Sequence, residues 1–445
     1  NKYLILFSFF LILNCSFGDK AGIWTGSEDI KRQTSEIEAN QKKNNKVFKI
    51  YTNLDTYKTE KTADYKVKLS DPKKSLFWKS SNLNAQNFVG HNLLASIENN
   101  FLKKKIGKNR FNTLQTSSSP LVFNNYIFLT DDTGSIFKIN ENGKIIWKKN
   151  IYGKNFKKIF KKITFAIYET QILVSDNIGF VYSISLLDGK IIWIKNHGIP
   201  FKSIIKVFDN KIFLINQDNR LLCFDIDKGN KIWDVRSVSS FIRSQSFLSL
   251  SLSTKGNVVI LNSSGDLISV NAKNGRVIWY VNTLSASSLA DTNFLKFSNI
   301  AITDNELFFS TISSTYSFTL NNGYQNWKVD IGSESTPIID GNNVFLVTNN
   351  GYFVNLDRNS GKMIWSTHLF KILKKRKQNT KVVGFVLGSK KIYVLTLNGY
   401  LIVSSADTGK VLSFKKIAGE INSPPIISNG SLFVLTANSK ILGFN

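Results

Sequence analysis

Apolar and polar positions alternate along most of this chain in short runs, each broken by glycine or asparagine. One stretch shows the pattern: Tyr126-Ile-Phe-Leu-Thr130, Asp131-Asp-Thr-Gly134, Ser135-Ile-Phe-Lys-Ile-Asn140, Glu141-Asn-Gly143, then Lys144-Ile-Ile-Trp147. Period-two alternation rich in β-branched and aromatic residues predicts strands. The glycine and asparagine breaks supply the positive φ that tight hairpins require.

The same unit recurs to the end of the chain. Its closing segment returns as Gly189-Lys-Ile-Ile-Trp193, Gly229-Asn-Lys-Ile-Trp233, Gly275-Arg-Val-Ile-Trp279, Gly323-Tyr-Gln-Asn-Trp327 and Gly361-Lys-Met-Ile-Trp365. A further copy, Gly409-Lys-Val-Leu-Ser413, has serine in the tryptophan position. The tryptophans fall 38 to 48 residues apart, which is the period of a four-stranded blade. The fold predicted is all-β, an eight-bladed β-propeller with four antiparallel strands per blade. Segments such as Ser119-Pro-Leu-Val-Phe123 are innermost, and the tryptophan strand is outermost. A residue repeated once per blade serves packing, so Trp147, Trp193, Trp233, Trp279, Trp327 and Trp365 are assigned to contacts between blades.

The last unit holds Leu432-Phe-Val-Leu435 and Ile441-Leu-Gly-Phe444 without a tryptophan strand after them. Ser75-Leu-Phe-Trp78 reads as the missing strand, with Trp78 as its structural tryptophan. An N-terminal strand completing the C-terminal blade leaves no open sheet edge. The ring is thus expected to span 76–445, with 85–118 as an insertion.

Upstream, Tyr3 to Leu13 form an apolar run after Lys2, too short to span a bilayer and suited to a signal-peptide core. Ile12-Leu13-Asn14-Cys15 resembles a bacterial lipobox, which implies lipid on Cys15. Residues 1–15 are therefore expected to be a signal peptide with lipobox. Residues 16–75, rich in Lys, Asn, Thr and Glu, are expected to be a flexible tether. Together these features predict export.

Composition narrows the chemistry. A hydrophobic fraction of 42% with 20% charged residues excludes disorder over the whole length. Two cysteines exclude a disulfide scaffold, and three scattered histidines offer no metal spacing. Cys223 stands alone in a predicted strand and reads as a small buried apolar residue. Asp132-Thr-Gly134 and Asp407-Thr-Gly409 fall in turns on opposite faces of a propeller, so they cannot share a proton as a catalytic pair. No phosphate loop, zinc motif or nucleophile elbow is present. No catalytic residue, metal or cofactor is predicted.

The net charge of +27 gathers partly in connections from one blade's outermost strand to the next innermost strand. Lys157, Lys158, Lys161 and Lys162 follow the first tryptophan strand, and Lys374, Lys375, Arg376 and Lys377 follow the sixth. They are expected to lie on one basic face, either solvated or attracting an acidic protein or anionic lipid. Nucleic acid is excluded for an exported chain without a recognition element.

The repeat resembles the pyrroloquinoline-quinone-type propeller unit. Two groups of proteins use it: quinoprotein dehydrogenases, and the BamB family of lipoproteins of outer-membrane β-barrel assembly. The dehydrogenases carry adjacent cysteines under their cofactor, and no Cys-Cys pair exists here. The BamB resemblance fits lipobox, tether and closed ring. It implies a non-enzymatic scaffold at the periplasmic face of the outer membrane, lipid-anchored and present as one copy within a complex. That scaffold would bind the POTRA domains of BamA and assist unfolded outer-membrane proteins. In that family an apolar-Arg motif follows a tryptophan strand. Here Phe241, Ile242 and Arg243 follow Trp233, and Asp291 follows Trp279 as a weaker match to a supporting acidic segment. Two other functions remain open from sequence: a quinoprotein-like enzyme, and a periplasmic propeller that binds a glycan or another surface ligand.

Overall fold

The computed structural model describes residues 56–58, 60–61, 66–111, 118–156, 158–236, 248–283, 296–373 and 380–445. They form eight sheets arranged as blades, each with four antiparallel strands, and the short strand His91–Asn92 adds to one of them in parallel. Blade 1 consists of Leu121–Phe123, Tyr126–Thr130, Ser135–Asn140 and Ile145–Asn150, from the innermost strand outward. Blades 2 to 7 repeat the order over 163–196, 206–236, 249–282, 301–329, 338–368 and 382–416.

Alternation builds the core between blades. In blade 3, Leu221 and Cys223 pack with Leu250, Leu252 and Ile260 of blade 4. Their neighbours Leu222 and Phe224 pack with Leu173 and Val181 of blade 2. Both faces of a central strand are therefore apolar, which is why these segments read as nearly continuous hydrophobic runs.

The outermost strands share one irregularity. In blade 1, Ile145 pairs with Ile139 but Trp147 with Lys138, leaving Ile146 as a bulge. The shift recurs immediately before Trp193, Trp233, Trp279, Trp327, Trp365 and Ser413. A bulge re-aims the residue after it, and here the tryptophan turns onto the next blade. Trp147 Nε1 donates to the Leu186 carbonyl at 3.3 Å, and Trp327 Nε1 to that of Arg358 at 2.7 Å. The bulged Ile146, Ile192, Ile232, Ile278 and Leu412 face solvent.

Each tryptophan ring lies on the glycine of the following blade's last hairpin. Gly189 holds φ +73°, and a Cβ there would stand 2.8 Å from the Trp147 ring. Positive φ and a ring at contact distance both demand glycine. The same logic explains Ser413. Blade 8, built from Ile426–Ser428, Ser431–Leu435 and Lys440–Phe444, takes its fourth strand from elsewhere in the chain, so it has no last hairpin for a tryptophan to cover.

That fourth strand is Asn100–Lys105, antiparallel to Lys440–Phe444. An N-terminal strand closes the ring, but it lies within the expected insertion 85–118 rather than at Ser75–Trp78. The described part of the expected tether is also packed. Lys61 bridges Ser366 on the outermost strand of blade 6, Tyr57 meets Tyr352 edge-on at 5.5 Å, and Val67 is buried beside Trp365. Apolar anchors at Tyr57, Val67 and Leu69 break the polar composition that suggested a tether.

Candidate functional site

A propeller has two unlike faces. On one, the turn face, lie the first and last hairpin turns of each blade. On the other, the connection face, lie the middle turns and the links between blades. The two mouths of the central channel open on these faces, and the chain treats them differently.

At the turn face, residues 68–95 follow the innermost strands around the channel mouth and reach all eight blades. The free edges of the innermost strands would otherwise present unpaired N–H and C=O groups to the channel. Ser70 N–H donates to Asp340 in blade 6 at 2.9 Å, and Asn429 of blade 8 donates to the Ser75 carbonyl at 2.7 Å. Trp78 and Val122 of blade 1 exchange two backbone bonds, 2.8 and 3.0 Å. Ile167 of blade 2 donates to the Lys79 carbonyl at 2.7 Å. Leu252 of blade 4 and Ile302 of blade 5 donate to Ala85 and Gln86 at 3.0 and 2.9 Å. His91–Asn92 then runs parallel to the innermost strand of blade 7, and Ala95 donates to Gly430 of blade 8 at 3.0 Å.

Side chains lock this plug. Asn87 is fully buried, and its Nδ2 donates to the carbonyls of Leu250 and Ile300 at 3.1 and 2.9 Å. His91 donates through Nδ1 to the Ser70 carbonyl at 2.7 Å and accepts the Lys390 N–H on Nε2 at 2.8 Å. Lys206, from blade 3, is buried, and its Nζ donates to Ser81 and Asn84 carbonyls at 3.1 and 2.7 Å. Burial pulls its pKa down to about 7. Trp78, expected as a blade tryptophan, instead anchors the plug in the core cluster shared by blades 1, 2, 7 and 8. Its strand bonds the innermost rather than the third strand of a blade, so it occupies the channel end of the ring.

The described residues hold few of the sequence-predicted contact residues. Phe241, Ile242, Arg243 and Asp291 lie outside the described residues, as do Cys15, Lys157, Lys374, Lys375, Arg376 and Lys377. Their flanks are placed: Arg236 ends the outermost strand of blade 3, and Leu248 N–H bonds the Lys202 carbonyl at 2.6 Å. Of the expected basic cluster, only Lys158, Lys161 and Lys162 lie among the described residues. Lys158 is exposed, but Lys161 is buried, bonded to the Phe156 carbonyl, with its ammonium 5.2 Å from the centre of the Tyr152 ring. Aromatic residues interleaved in that connection fold back and take Lys161 with them. Lys162 is half-buried, and burial together with the neighbouring Lys202 charge holds its pKa near 8. Lys161 and Lys162 line a cleft with Lys108, Ser118, Asp131 and Asn422.

Carboxylates on this face act as turn caps. Asp131 Oδ1 accepts N–H groups of Thr133 and Ser135, and Asp176 Oδ1 those of Ile178, Gly179 and Phe180. Asn216 and Asn262 hold the equivalent turns of blades 3 and 4. A role repeated blade by blade is structural. Asp132-Thr-Gly134 lies in a middle turn and Asp407-Thr-Gly409 in a last hairpin, on opposite faces. Among the described residues, no group of three or more His, Cys, Asp or Glu is placed to hold a metal ion.

Lys206, Asn87 and His91 carried no signal in the sequence, since each sits in a segment without periodicity or inside an ordinary strand run. Their importance comes from the path of residues 68–95 around the innermost strands of the ring.

Comparison with known proteins agrees with this architecture. The outer membrane protein assembly factor BamB of Moranella endobia is 19% identical over 364 residues, covering 78% of this chain and 92% of that protein. The crystal structure of BamB from Moraxella catarrhalis superposes with a TM-score of 0.62 at 14% identity, covering 77% of this chain and 100% of that one. A europium-containing methanol dehydrogenase superposes with a TM-score of 0.66 at 13% identity over 81% of this chain and 89% of that one, a likeness of fold. The family model for outer membrane protein assembly factor BamB matches residues 132–367, more than half of the chain, and this protein belongs to that family.

Proposed function

We propose that the ring is a non-enzymatic scaffold lipoprotein at the periplasmic face of the outer membrane. It binds the POTRA domains of BamA through its connection face and helps present unfolded outer-membrane proteins. The observation that carries this reading is the family match over 132–367, because that span holds the connections after Trp233 and Trp279. In the proposed contact, Phe241 and Ile242 bury against the partner while Arg243 meets carboxylates or carbonyls, with Asp291 supporting the neighbouring connection. Cys15 supplies the lipid anchor.

The plug supports a protein-binding role on one side only. Residues 68–95 already occupy the innermost strand edges at the turn face, so the connection face is taken as the side on which a partner approaches the channel. Pull-down of POTRA domains by the full chain tests the assignment. Arg243→Glu is expected to weaken capture at least about tenfold, as for a central interface residue. Undiminished capture by this variant rejects Arg243 as the contact.

The dehydrogenase likeness supplies the competing reading. Reconstitution with pyrroloquinoline quinone and calcium, followed by dye-linked oxidation of alcohols, decides it. Turnover under those conditions overturns the scaffold assignment.

A further inference from the structure

The plug has an outer surface as well as a packed one. Leu76, Phe77 and Leu93 are 51%, 39% and 38% exposed, although their neighbours Trp78, Asn92 and Leu94 are buried. Backbone bonds bring the three together. Lys73 donates to the His91 carbonyl at 2.9 Å, and Leu93 donates to Lys73 at 2.8 Å, so Leu93 lies beside the Lys73–Phe77 segment. Phe77 meets Phe123 of blade 1 at 5.1 Å, and the Lys79 ammonium lies 5.3 and 4.8 Å from the two ring centres. Lys66, Lys68, Lys73 and Lys74 are exposed along the same segment, against one exposed acid, Asp71.

Two properties of this patch select its occupant. Its charge is strongly positive around an apolar centre, which complements an anionic surface with an apolar interior. Its backbone is also used up, because Lys73 pairs with the 91–93 segment, Ser75 with Asn429, and Trp78 with Val122. An extended peptide therefore finds little free edge here to pair with, and only side chains remain on offer. A fluid lipid surface needs no directional bonds. The segment is already held on both sides, so inserting Leu76 and Phe77 costs little further ordering entropy.

We propose that the outer surface of the plug, centred on Lys73, Lys74, Leu76, Phe77 and Leu93, docks the turn face onto anionic lipid. This contact is separate from any lipid on Cys15, and it leaves the connection face turned away from the bilayer.

The test uses the full chain carrying Cys15→Ser, which removes any covalent anchor. Co-sedimentation is measured with vesicles of phosphatidylcholine alone and of phosphatidylcholine with phosphatidylglycerol. Binding is expected only with phosphatidylglycerol, falling with added salt. Lys73→Glu with Lys74→Glu should weaken it by about thirtyfold or more, since each lysine near an anionic surface is worth about 1 kcal/mol. Leu76→Ser with Phe77→Ser should leave a weaker attraction that salt abolishes. These side chains are exposed, and an unchanged unfolding midpoint will show that each variant keeps its fold. Lys273→Glu with Lys410→Glu, in last hairpins of the same face, is the control for general charge. Equal loss in the control, equal binding to neutral vesicles, or no binding at all overturns the proposal. So does capture of a polyglutamate peptide, sensitive to Lys73 and Lys74, without vesicle binding, which would make the patch a protein contact.

Discussion

Lys206 and Asn84 meet at the inner edge of blade 3, the Nζ of one donating to the carbonyl of the other at 2.7 Å. The lysine lies in the innermost strand of blade 3 and is 1% exposed. Burial pulls its pKa down to about 7, whereas an unfolded lysine titrates near 10.4. Between those values the unfolded chain binds more protons than the ring does. Stability attributable to this group is therefore complete above about pH 10 and is lost as pH falls through 7. Lys162, with a pKa near 8, acts in the same direction over a narrower window. The urea midpoint is expected to rise from about pH 6 to about pH 9. Lys206→Met should remove most of that slope. A slope equally steep in the variant would place its origin at another group.

Trp327 and Gly361 test what the repeat encodes. The tryptophan is buried, bonded to Arg358, and its ring lies 2.7 Å from where a Cβ on Gly361 would sit. Trp327→Ala opens a cavity between blades 5 and 6 and should cost about 3–5 kcal/mol. Gly361→Ala meets both the ring and a φ of +70°, with an expected cost of about 1–3 kcal/mol. Ser413→Trp should not stabilise, because blade 8 offers its ring no final hairpin. Denaturant midpoints measure all three, and a stabilised Ser413→Trp variant would contradict the pairing of tryptophan with hairpin.

Asn87 should hold the plug in place. Its side chain is the donor to two buried carbonyls on neighbouring blades, and leaving such groups unpaired costs about 1–3 kcal/mol each. Asn87→Ala is expected to loosen the plug before the ring unfolds. Hydrogen exchange reads this directly, since the amides of Val122, Ile167, Leu252 and Ile302 donate to plug carbonyls. Those amides should lose protection in the variant, while that of Leu214, bonded inside blade 3, should not. Loss of protection at all five would mean the plug and ring unfold as one unit.

The ring itself was legible because its information is local and repeated. Gly361 and Trp327 stand at fixed places in successive units, and alternation along each strand reports burial on both faces. The plug was not legible, because residues 68–95 join the fold mainly through backbone bonds to strand edges, which leave no side-chain period. Leu76-Phe-Trp78 imitates a tryptophan strand, yet Trp78 serves the channel mouth. The true closing strand, Asn100–Lys105, reads as a charge run because only Leu102 in it is buried. Lys206 lies in a β-rich stretch where a charge normally marks the solvent side. Its burial follows from the plug turn that covers it, which no local pattern announces. The proposed contact through Phe241, Ile242 and Arg243 rests on the family resemblance and on their position after Trp233.

Cys223 offers a probe of the seam between blades 3 and 4. It is fully buried, packed with Phe213, Leu250 and Ile260, and burial pushes its thiol up to about 12. Only the thiolate reacts with disulfide reagents, so both access and ionisation protect it in the native ring. In a Cys15→Ser background it is the one thiol left. Its labelling near pH 8 should run at least about a thousandfold slower than that of free cysteine. Urea should accelerate it in step with the global unfolding constant. Rapid labelling with no dependence on urea would instead mean that blades 3 and 4 part locally. That outcome would matter for function, because the segment carrying Phe241, Ile242 and Arg243 links these two blades in the chain. A seam that opens on its own could not hold those residues in a fixed geometry for a partner, and the scaffold reading would then need a contact on a more rigid blade.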